Sequence, residues 1–219
     1  MQQHISVFFD KKYHMNDIDY ENLTNEYQIP VLKKQLFDQI PNEAIAFSDI
    51  YKTKEKNKIV HFFQEDRKIE SVWNNPYKYI PILQKFPCVI EPDFSILLDM
   101  PKPIQIYNIF RTRLIGTIFQ KNGINVIPNV SWAGKNSYDF CFNGIYKHGV
   151  IAVSTVGISK NNNSKQFFQN GFVEMLNRLK PCKIIMYGGN FAVKYSSIPI
   201  LHIHNTTYNW ISNSNMGDK

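Results

Sequence analysis

Short apolar segments rich in isoleucine, valine and phenylalanine recur from about residue 44 onward and alternate with longer stretches that have helical spacing. Short runs that combine β-branched and aromatic residues are typical of buried strands. Seven strands are therefore predicted, at 44–47, 59–63, 88–90, 124–127, 150–153, 184–187 and 198–203.

The intervening stretches predict helices at 66–86, 101–122 and 164–179. Prolines interrupt the first, Gly123 ends the second, and the third has an apolar stripe at three- and four-residue steps, as in a helix lying on a sheet. Alternation of strands and helices predicts an α/β protein with a mainly parallel sheet flanked by helices. An open three-layer sheet and a small or incomplete barrel both fit this pattern.

The chain changes character near residue 40, which predicts its domain organisation. Residues 1–40 include a stretch rich in turn formers and acids and are interpreted as an N-terminal arm. Residues 41–204 are interpreted as a single α/β domain, and 205–219 as a polar tail. The 219 residues, 43% of them apolar, are enough to fill a core.

Composition narrows the cellular setting. The sequence has no apolar run long enough for a membrane helix and no signal-peptide pattern at its start, so a cytoplasmic protein without a membrane partner is predicted. Its three widely spaced cysteines favour reduced thiols over a disulfide framework or a zinc cluster.

Charge is unevenly distributed. Residues 1–99 carry 12 basic and 15 acidic side chains, whereas residues 100–219 carry 13 basic and 3 acidic ones, a net charge of +10. Such a field attracts polyanions, which favours nucleic acid, a nucleotide or another phosphorylated partner. A lysine-rich composition without any such partner explains the same counts equally well.

Polar or permissive residues follow several predicted strands. Because ligands of parallel α/β sheets gather at the carboxyl ends of the strands, these residues are expected to converge on one rim. Each alone also fits a cap or a turn, and Trp132 fits either a stacking platform for a base or a lid on the core. The predicted rim comprises Asp93, Asn129, Trp132, Ser154, Thr155 and Gly188.

A resemblance to a known family extends from about residue 73 to residue 188. The residues that carry it are Trp73-Asn-Asn-Pro76, Pro92-Asp93-Phe94-Ser95, Asp99-Met100-Pro101, Gln105, Asn108, Arg111, Arg113, Ile115-Gly116, Pro128-Asn129-Val130-Ser131-Trp132, residues 137–144 and 150–157, and Tyr187-Gly188. In these residues the chain resembles the domain of unknown function 4417 family of bacteria, phages and other mobile elements, which implies a mobile-element setting and carries no established activity.

The predicted helix at 101–122 carries the main candidate for anion binding. Arg111 and Arg113 lie about 200° apart around a helix, so both cannot face one small ligand, and Arg111 is the preferred candidate, beside Asn108. An ion pair between Arg111 and Asp93 is an equally good, purely structural expectation.

Glu91 and Asp93 are the candidate catalytic carboxylates. Pointing the same way, they could share a proton or hold Mg²⁺, although Pro92 disturbs the strand between them. For His202 and His204, ordinary hydrogen bonding is favoured over a metal site, and no metal site is predicted. The sequence contains no P-loop, dinucleotide fingerprint or serine elbow.

Three functional hypotheses follow. The leading one is binding of an anionic ligand, nucleic acid or a nucleotide, at the carboxyl-end rim of the sheet. The second is an enzyme acting on a small phosphorylated or nucleotide substrate, with Asp93 as base or metal ligand and Arg111 as anion anchor. The third is a protein that binds and blocks a host protein.

Overall fold

Seven strands and five α-helices make up the described part of the chain, which in this computed structural model comprises residues 7–156, 158, 162–189 and 197–204. The strands are β1 (Ala44–Ala46), β2 (Ile59–His61), β3 (Cys88–Ile90), β4 (Val126–Ile127), β5 (Val150–Ser154), β6 (Lys183–Tyr187) and β7 (Ile200–Ile203). The helices are α1 (Val7–Tyr13), α2 (Asp66–Asn74), α3 (Ile80–Leu83), α4 (Lys102–Lys121) and α5 (Asn162–Leu179).

The strands pair in chain order, and every pair is parallel. β1 to β4 form one sheet and β5 to β7 form a second. A single parallel bridge between Asn129 and Ala152 joins the two, because Val130 N donates to Ala152 O at 2.9 Å and Ala152 N donates to Pro128 O at 2.8 Å. The seven strands therefore follow one another as a single parallel array.

This array curves around a common interior. Alternate side chains from both sheets, among them Ile90, Ile127, Ala152 and Ile185, pack into one apolar cluster. Across this interior the ring of His61 on β2 lies 4.2 Å from the ring of Tyr187 on β6, although three strands separate β2 from β6. No pairing joins β1 to β7 in the described ranges, so the fold is an incomplete barrel, one of the two predicted architectures.

Helices cover the outer surface of the array. α2, α3 and α4 pack on the first sheet in one apolar cluster, which includes Leu114 and Ile118 of α4 together with Val60 and Val89 of the strands. α5 covers the second sheet in another cluster, which includes Phe172 and Met175 of the helix together with Ile151 and Ile184 of the strands. None of the helices in the described ranges is long and apolar enough to cross a membrane.

The strand positions agree with those predicted from the apolar runs to within a few residues. The predicted helix at 66–86 divides into α2, a 3-10 turn and α3, because Pro76 and Pro81 lack the amide hydrogen that a continuous helix needs. Within the predicted arm, Ile29 and Leu32 are buried in the core. The predicted tail, 205–219, lies outside the described residues.

A buried ion pair fastens α4 to the ends of the strands. Arg113 and Glu91 are both fully buried, and the Arg113 guanidinium donates to Glu91 Oε2. Gly116, one turn further along α4, brings the helix close to the strand, because a methyl group at this position would overlap Glu91 Oε1 and crowd Leu32. The sequence of α4 is therefore adapted to a carboxylate beneath it.

We expect Gly116→Ala to destabilise the protein by roughly 3 kcal/mol, because the added methyl must displace a carboxylate that is paired in the core. Urea unfolding followed by circular dichroism measures this. Gly123→Ala is the comparison: it strains a positive φ of 75°, which Gly116 does not have, but its methyl meets no atom within 4 Å, so it should cost about 1 kcal/mol. Equal losses of stability in the two variants would contradict the close approach of Gly116 to Glu91.

Candidate functional site

A cavity of about 520 Å³ opens at the carboxyl ends of β3, β4 and β5. We call it the strand-end cavity. Its size falls in the range of small-molecule sites, and its wall combines apolar and aromatic side chains with a few polar groups. It is lined by Asp93, Ile96, Leu97, Leu98, Asn129, Val130, Ser131, Trp132, Ala133, Val153, Ser154, Val156, Ile158, Asn163, Ser164, Phe167 and Phe168.

Four of the residues predicted to form the rim line this cavity together. Asp93 follows β3, Asn129 and Trp132 follow β4, and Ser154 ends β5. They converge because neighbouring parallel strands end at the same edge of a sheet. Their roles in ligand binding remain predictions.

Asp93 and Asn129 form the polar part of the wall. Asn129 Nδ2 donates to Asp93 Oδ1 at 2.7 Å. Burial raises the pKa of the Asp93 carboxyl to about 6, the hydrogen bond from Asn129 opposes the rise, and the nearby Asp66 carboxylate adds to it. Asp93 therefore changes charge near neutral pH.

The backbone of Asn129 is fixed by the buried ion pair. Asn129 N donates to Glu91 Oε2 at 3.0 Å, and Arg113 donates to Asn129 O at 2.9 Å. Arg113 also donates to the carbonyl of Asn143 at 3.1 Å. The N–H and the C=O of Asn129 are thus both held by side chains that are buried in the core. This orients the Asn129 side chain in advance of any ligand.

Trp132 is a wall residue held by α5. Its ring lies 5.2 Å from the ring of Phe168, and a methyl group at Gly171 would overlap its indole. Both Trp132 and Phe168 line the cavity, so the indole packs on the helix and contributes to the cavity surface at once. The two interpretations of this residue from the sequence are therefore compatible.

Thr155 and Gly188 lie beside the cavity and close the end of the β5–β6 pair. The Thr155 hydroxyl is 3.2 Å from both the Tyr187 and the Gly189 carbonyl oxygens. Gly188 has a φ of 114°, and a methyl group there would overlap the Thr155 hydroxyl. Neither residue lines the cavity, so the structure gives them a role in shaping the strand ends.

The expected ion pair between Arg111 and Asp93 is wrong. Arg111 donates to both carboxylate oxygens of Glu70, at 3.0 and 2.9 Å, because α2 packs beside α4 and presents Glu70 to it. The guanidinium also lies 3.9 Å from the ring centre of Phe94. Arg111 does not line the strand-end cavity.

Asn108 supports the loop that follows Asp93. It donates to the carbonyl of Ser95 at 2.6 Å and accepts from Arg111 at 2.9 Å. Asp66 holds the same loop by accepting from the Ser95 hydroxyl at 2.8 Å. Asn108 and Arg111 are therefore placed to position the 93–95 loop, and neither one lines the cavity.

Glu91 does not face the cavity with Asp93, contrary to the expectation that the two carboxylates point the same way. It turns toward α4, where Arg113 and Gly116 lie, whereas the Asp93 side chain lines the cavity. Burial raises the pKa of the Glu91 carboxyl, and the adjacent Arg113 guanidinium opposes that rise. Glu91 is thus placed as an anchor for the site.

A second hollow of about 540 Å³ adjoins the strand-end cavity. We call it the lysine groove. Its wall includes the exposed side chains of Lys102 and Lys135, and it shares Leu98, Ala133 and Phe167 with the strand-end cavity. Neither lysine forms an ion pair with another residue in the part of the chain that the structure describes. The groove also contains one carboxylate, that of Asp139.

Metal-binding geometry is not found among the described residues, where no group of three or more His, Cys, Asp or Glu could hold an ion. His202 and His204 are both exposed on β7 and just after it. The two-carboxylate Mg²⁺ site considered for Glu91 and Asp93 is not formed, because the Glu91 carboxylate is turned toward Arg113 and Gly116 of α4 and does not line the cavity with Asp93.

Two phenylalanines and two lysines of the site are the part that sequence reasoning missed. Phe167 and Phe168 were predicted only as members of a stripe that faces the sheet, yet both line the cavity at the start of α5. Lys102 and Lys135 are not part of any recognised sequence motif. The excess of basic residues after residue 100 was the available signal, but it does not point to individual side chains.

Comparisons with known proteins place the chain in a family. A family model described as a domain of unknown function (DUF4417) matches residues 20–204, most of the chain. The chain belongs to the domain of unknown function 4417 family. The match includes every strand and the whole strand-end cavity, so this site lies within the region that defines the family.

The curated relatives of this DUF4417 chain are phage proteins. It is 36% identical over 129 residues to the Gene 1 protein of Mycobacterium phage D29, which covers 59% of this chain and 48% of the relative. It is 34% identical over 129 residues to the Gene 1 protein of Mycobacterium phage L5, covering 59% and 56%. The matched part thus spans about half the length of each relative. No solved structure matches.

The raised pKa of Asp93 predicts a pH-dependent stability. The folded state holds this proton more tightly than the unfolded chain, in which the pKa is near 3.8, so stability falls as pH rises from about 4 to about 6. Asp93→Asn keeps an acceptor for Asn129 and removes the titration. Between pH 4 and pH 6, the free energy of unfolding of the wild type should fall by about 1–2 kcal/mol relative to that of the variant.

Urea unfolding at pH 4, 5, 6 and 7 measures the difference between Asp93→Asn and the wild type. Asp99→Asn, which removes an exposed carboxylate a few residues away, serves as the control for loss of one charge. If the difference in free energy of unfolding between wild type and Asp93→Asn does not change with pH, the pKa of Asp93 is not raised by folding.

Proposed function

We propose that this DUF4417 chain binds a nucleotide, with the base in the strand-end cavity and the phosphate in the lysine groove. The observation that carries the proposal is that the two hollows are adjacent and share Leu98, Ala133 and Phe167 in their walls. One hollow offers aromatic and apolar surface with a few hydrogen-bonding groups, and the other offers two ammonium groups. A nucleotide has the same division between a flat, partly apolar base and an anionic phosphate.

The location of charge supports this orientation of the ligand. The strand-end cavity has a carboxylate in its wall and, among the described residues, no lysine, arginine or histidine. An anionic group would be repelled there, so the phosphate is placed in the groove where Lys102 and Lys135 lie. We therefore assign to these two lysines the anion-binding role that was expected of Arg111 from the sequence.

The apolar wall suits a base. Trp132, Phe167 and Phe168 supply aromatic surface, and Leu97 and Leu98 are more than half exposed at the cavity margin, at 54% and 69%. Stacking of a base on aromatic side chains is worth about 1–3 kcal/mol and does not depend strongly on base identity. Burying the leucine side chains under a bound base would add to this.

The lysine groove can be tested by removing its charge. We expect the double variant Lys102→Gln, Lys135→Gln to bind nucleoside monophosphates about three- to tenfold more weakly than the wild type, because two partly screened phosphate contacts are lost. The salt dependence of binding should also become shallower. Isothermal titration calorimetry at two salt concentrations measures both.

The matched control is Lys85→Gln, Lys147→Gln, which removes two exposed lysines that line neither hollow. It should leave nucleotide affinity within about twofold of the wild type. If both double variants lose affinity equally, the groove holds no phosphate. If the wild type binds no nucleotide, the proposed function is wrong.

Catalysis is a second candidate function, favoured by the pKa of about 6 at Asp93. A carboxylate with this pKa inside a cavity can act as a general base near neutral pH. We expect any turnover of a bound nucleotide to fall at least about a hundredfold in Asp93→Asn at saturating nucleotide. Chromatography of nucleotides incubated with each protein measures turnover, and unchanged turnover in the variant would remove Asp93 from the chemistry.

A further inference from the structure

Asp93 and Asn129 form a part of the strand-end cavity wall that is rich in hydrogen-bond acceptors, apart from the serine and asparagine side chains that also line it. Asp93 Oδ1 accepts a hydrogen bond from Asn129. Asp93 Oδ2 receives no hydrogen bond from the described residues, and it is an accessible atom, because the buried atoms without a partner do not include it. Asn129 Oδ1 is buried and also lacks a partner within the described part of the chain. A ligand that reaches this wall therefore meets one accessible, unused acceptor, Asp93 Oδ2, beside the buried and unpaired Asn129 Oδ1.

The orientation of the Asn129 amide follows from its neighbour. An ionised carboxylate can only accept, so the amide must direct its NH₂ group toward Asp93, which leaves Oδ1 on its other side. Because the Asn129 backbone is held by Glu91 and Arg113, the side chain cannot move away with its loop. An unpaired buried carbonyl oxygen costs stability unless a donor satisfies it.

Among the common bases, guanine best matches a wall of acceptors. Its N1–H and 2-amino groups are adjacent donors, which one carboxylate can accept together. Adenine and cytosine place one donor beside one acceptor on the corresponding edge, and uracil and thymine place one donor between two acceptors. An acceptor facing an acceptor lacks a hydrogen bond and is repelled by the carboxylate.

We propose that Asp93 and Asn129 make the strand-end cavity selective for guanine. This selectivity rests on the nucleotide-binding function proposed above and specifies its ligand. The Asp93 carboxylate accepts from N1–H and the 2-amino group, and Asn129 Oδ1 is a further acceptor on the same wall. Ser154, whose oxygen accepts from Val156 N at 3.1 Å, donates its hydroxyl hydrogen to none of the described residues and can donate it to an acceptor of the base.

Calorimetry with GMP, IMP, AMP and UMP tests the selectivity on the full chain. IMP retains N1–H and lacks the 2-amino group, so it isolates one hydrogen bond. We expect GMP to bind about tenfold more tightly than IMP and at least about tenfold more tightly than AMP or UMP, since a lost hydrogen bond to a charged acceptor changes affinity by this order. Equal affinities for the four nucleotides would overturn guanine selectivity and leave nucleotide binding intact.

Asp93→Asn tests the residue that recognises the base. The amide offers one acceptor and places an NH₂ group against the donor edge of guanine, so GMP affinity should fall about tenfold or more while AMP and UMP affinities change less than about threefold. Asp99→Asn controls for charge and should retain the preference for GMP. A uniform loss for all nucleotides in Asp93→Asn would indicate damage to the cavity and contradict base recognition.

Two sources of guanine can be separated in the same experiment. The second titrant is a single-stranded thymidine oligomer that contains one guanine, compared with the all-thymidine oligomer at the same salt. Tighter binding of the guanine-containing oligomer supports the proposal and identifies nucleic acid as a source, whereas a preference seen only with GMP supports it for the free nucleotide. Absence of any preference for guanine in either form would overturn it.

Discussion

The buried pair of Arg113 and Glu91 is the interaction on which the arrangement of the site depends. Both side chains are fully excluded from solvent, and removing two charges from water is costly unless each finds several partners. Arg113 meets this demand by donating to Glu91 and to the carbonyls of Asn129 and Asn143. One guanidinium thereby ties α4 to the ends of β3 and β4 and to the loop near residue 143. The same contacts immobilise the peptide that carries the Asn129 side chain.

The site is divided into two parts with opposite electrostatic character. The strand-end cavity presents acceptors that lack partners within the described residues, whereas the adjoining groove presents ammonium groups without a carboxylate partner there. A single ion could not satisfy both. A ligand with a donor-rich end and an anionic end, such as a nucleotide, satisfies both at once.

Much of the architecture could be predicted because short apolar runs mark buried strands directly, and the strand ends then locate the rim where Asp93, Asn129 and Ser154 meet. The curvature of the sheet could not, since it depends on contacts between distant strands, such as the His61 ring against Tyr187. The roles of Arg111 and Arg113 were also beyond the pattern. Helical geometry places them on different faces, but α4 is buried on several faces, so both arginines are enclosed and pair with different carboxylates. Which arginine meets which carboxylate depends on the packing of α2 and of Glu91 around the helix.

The energetic state of Asp93 and Asn129 argues that this cavity is more than a packing defect. A protein that needed only stability would fill the space with apolar side chains, or would pair the Asn129 carbonyl oxygen and leave Asp93 in water. Here a partly buried carboxylate lies at a position that disfavours its charge, and an amide oxygen is without a partner among the described residues. Both features lower stability, while the buried pair beneath them keeps the arrangement rigid. A preformed ligand site requires a rigid frame that holds polar groups in an unfavourable state. The ligand then supplies the missing hydrogen bonds without an additional free-energy cost for ordering the protein.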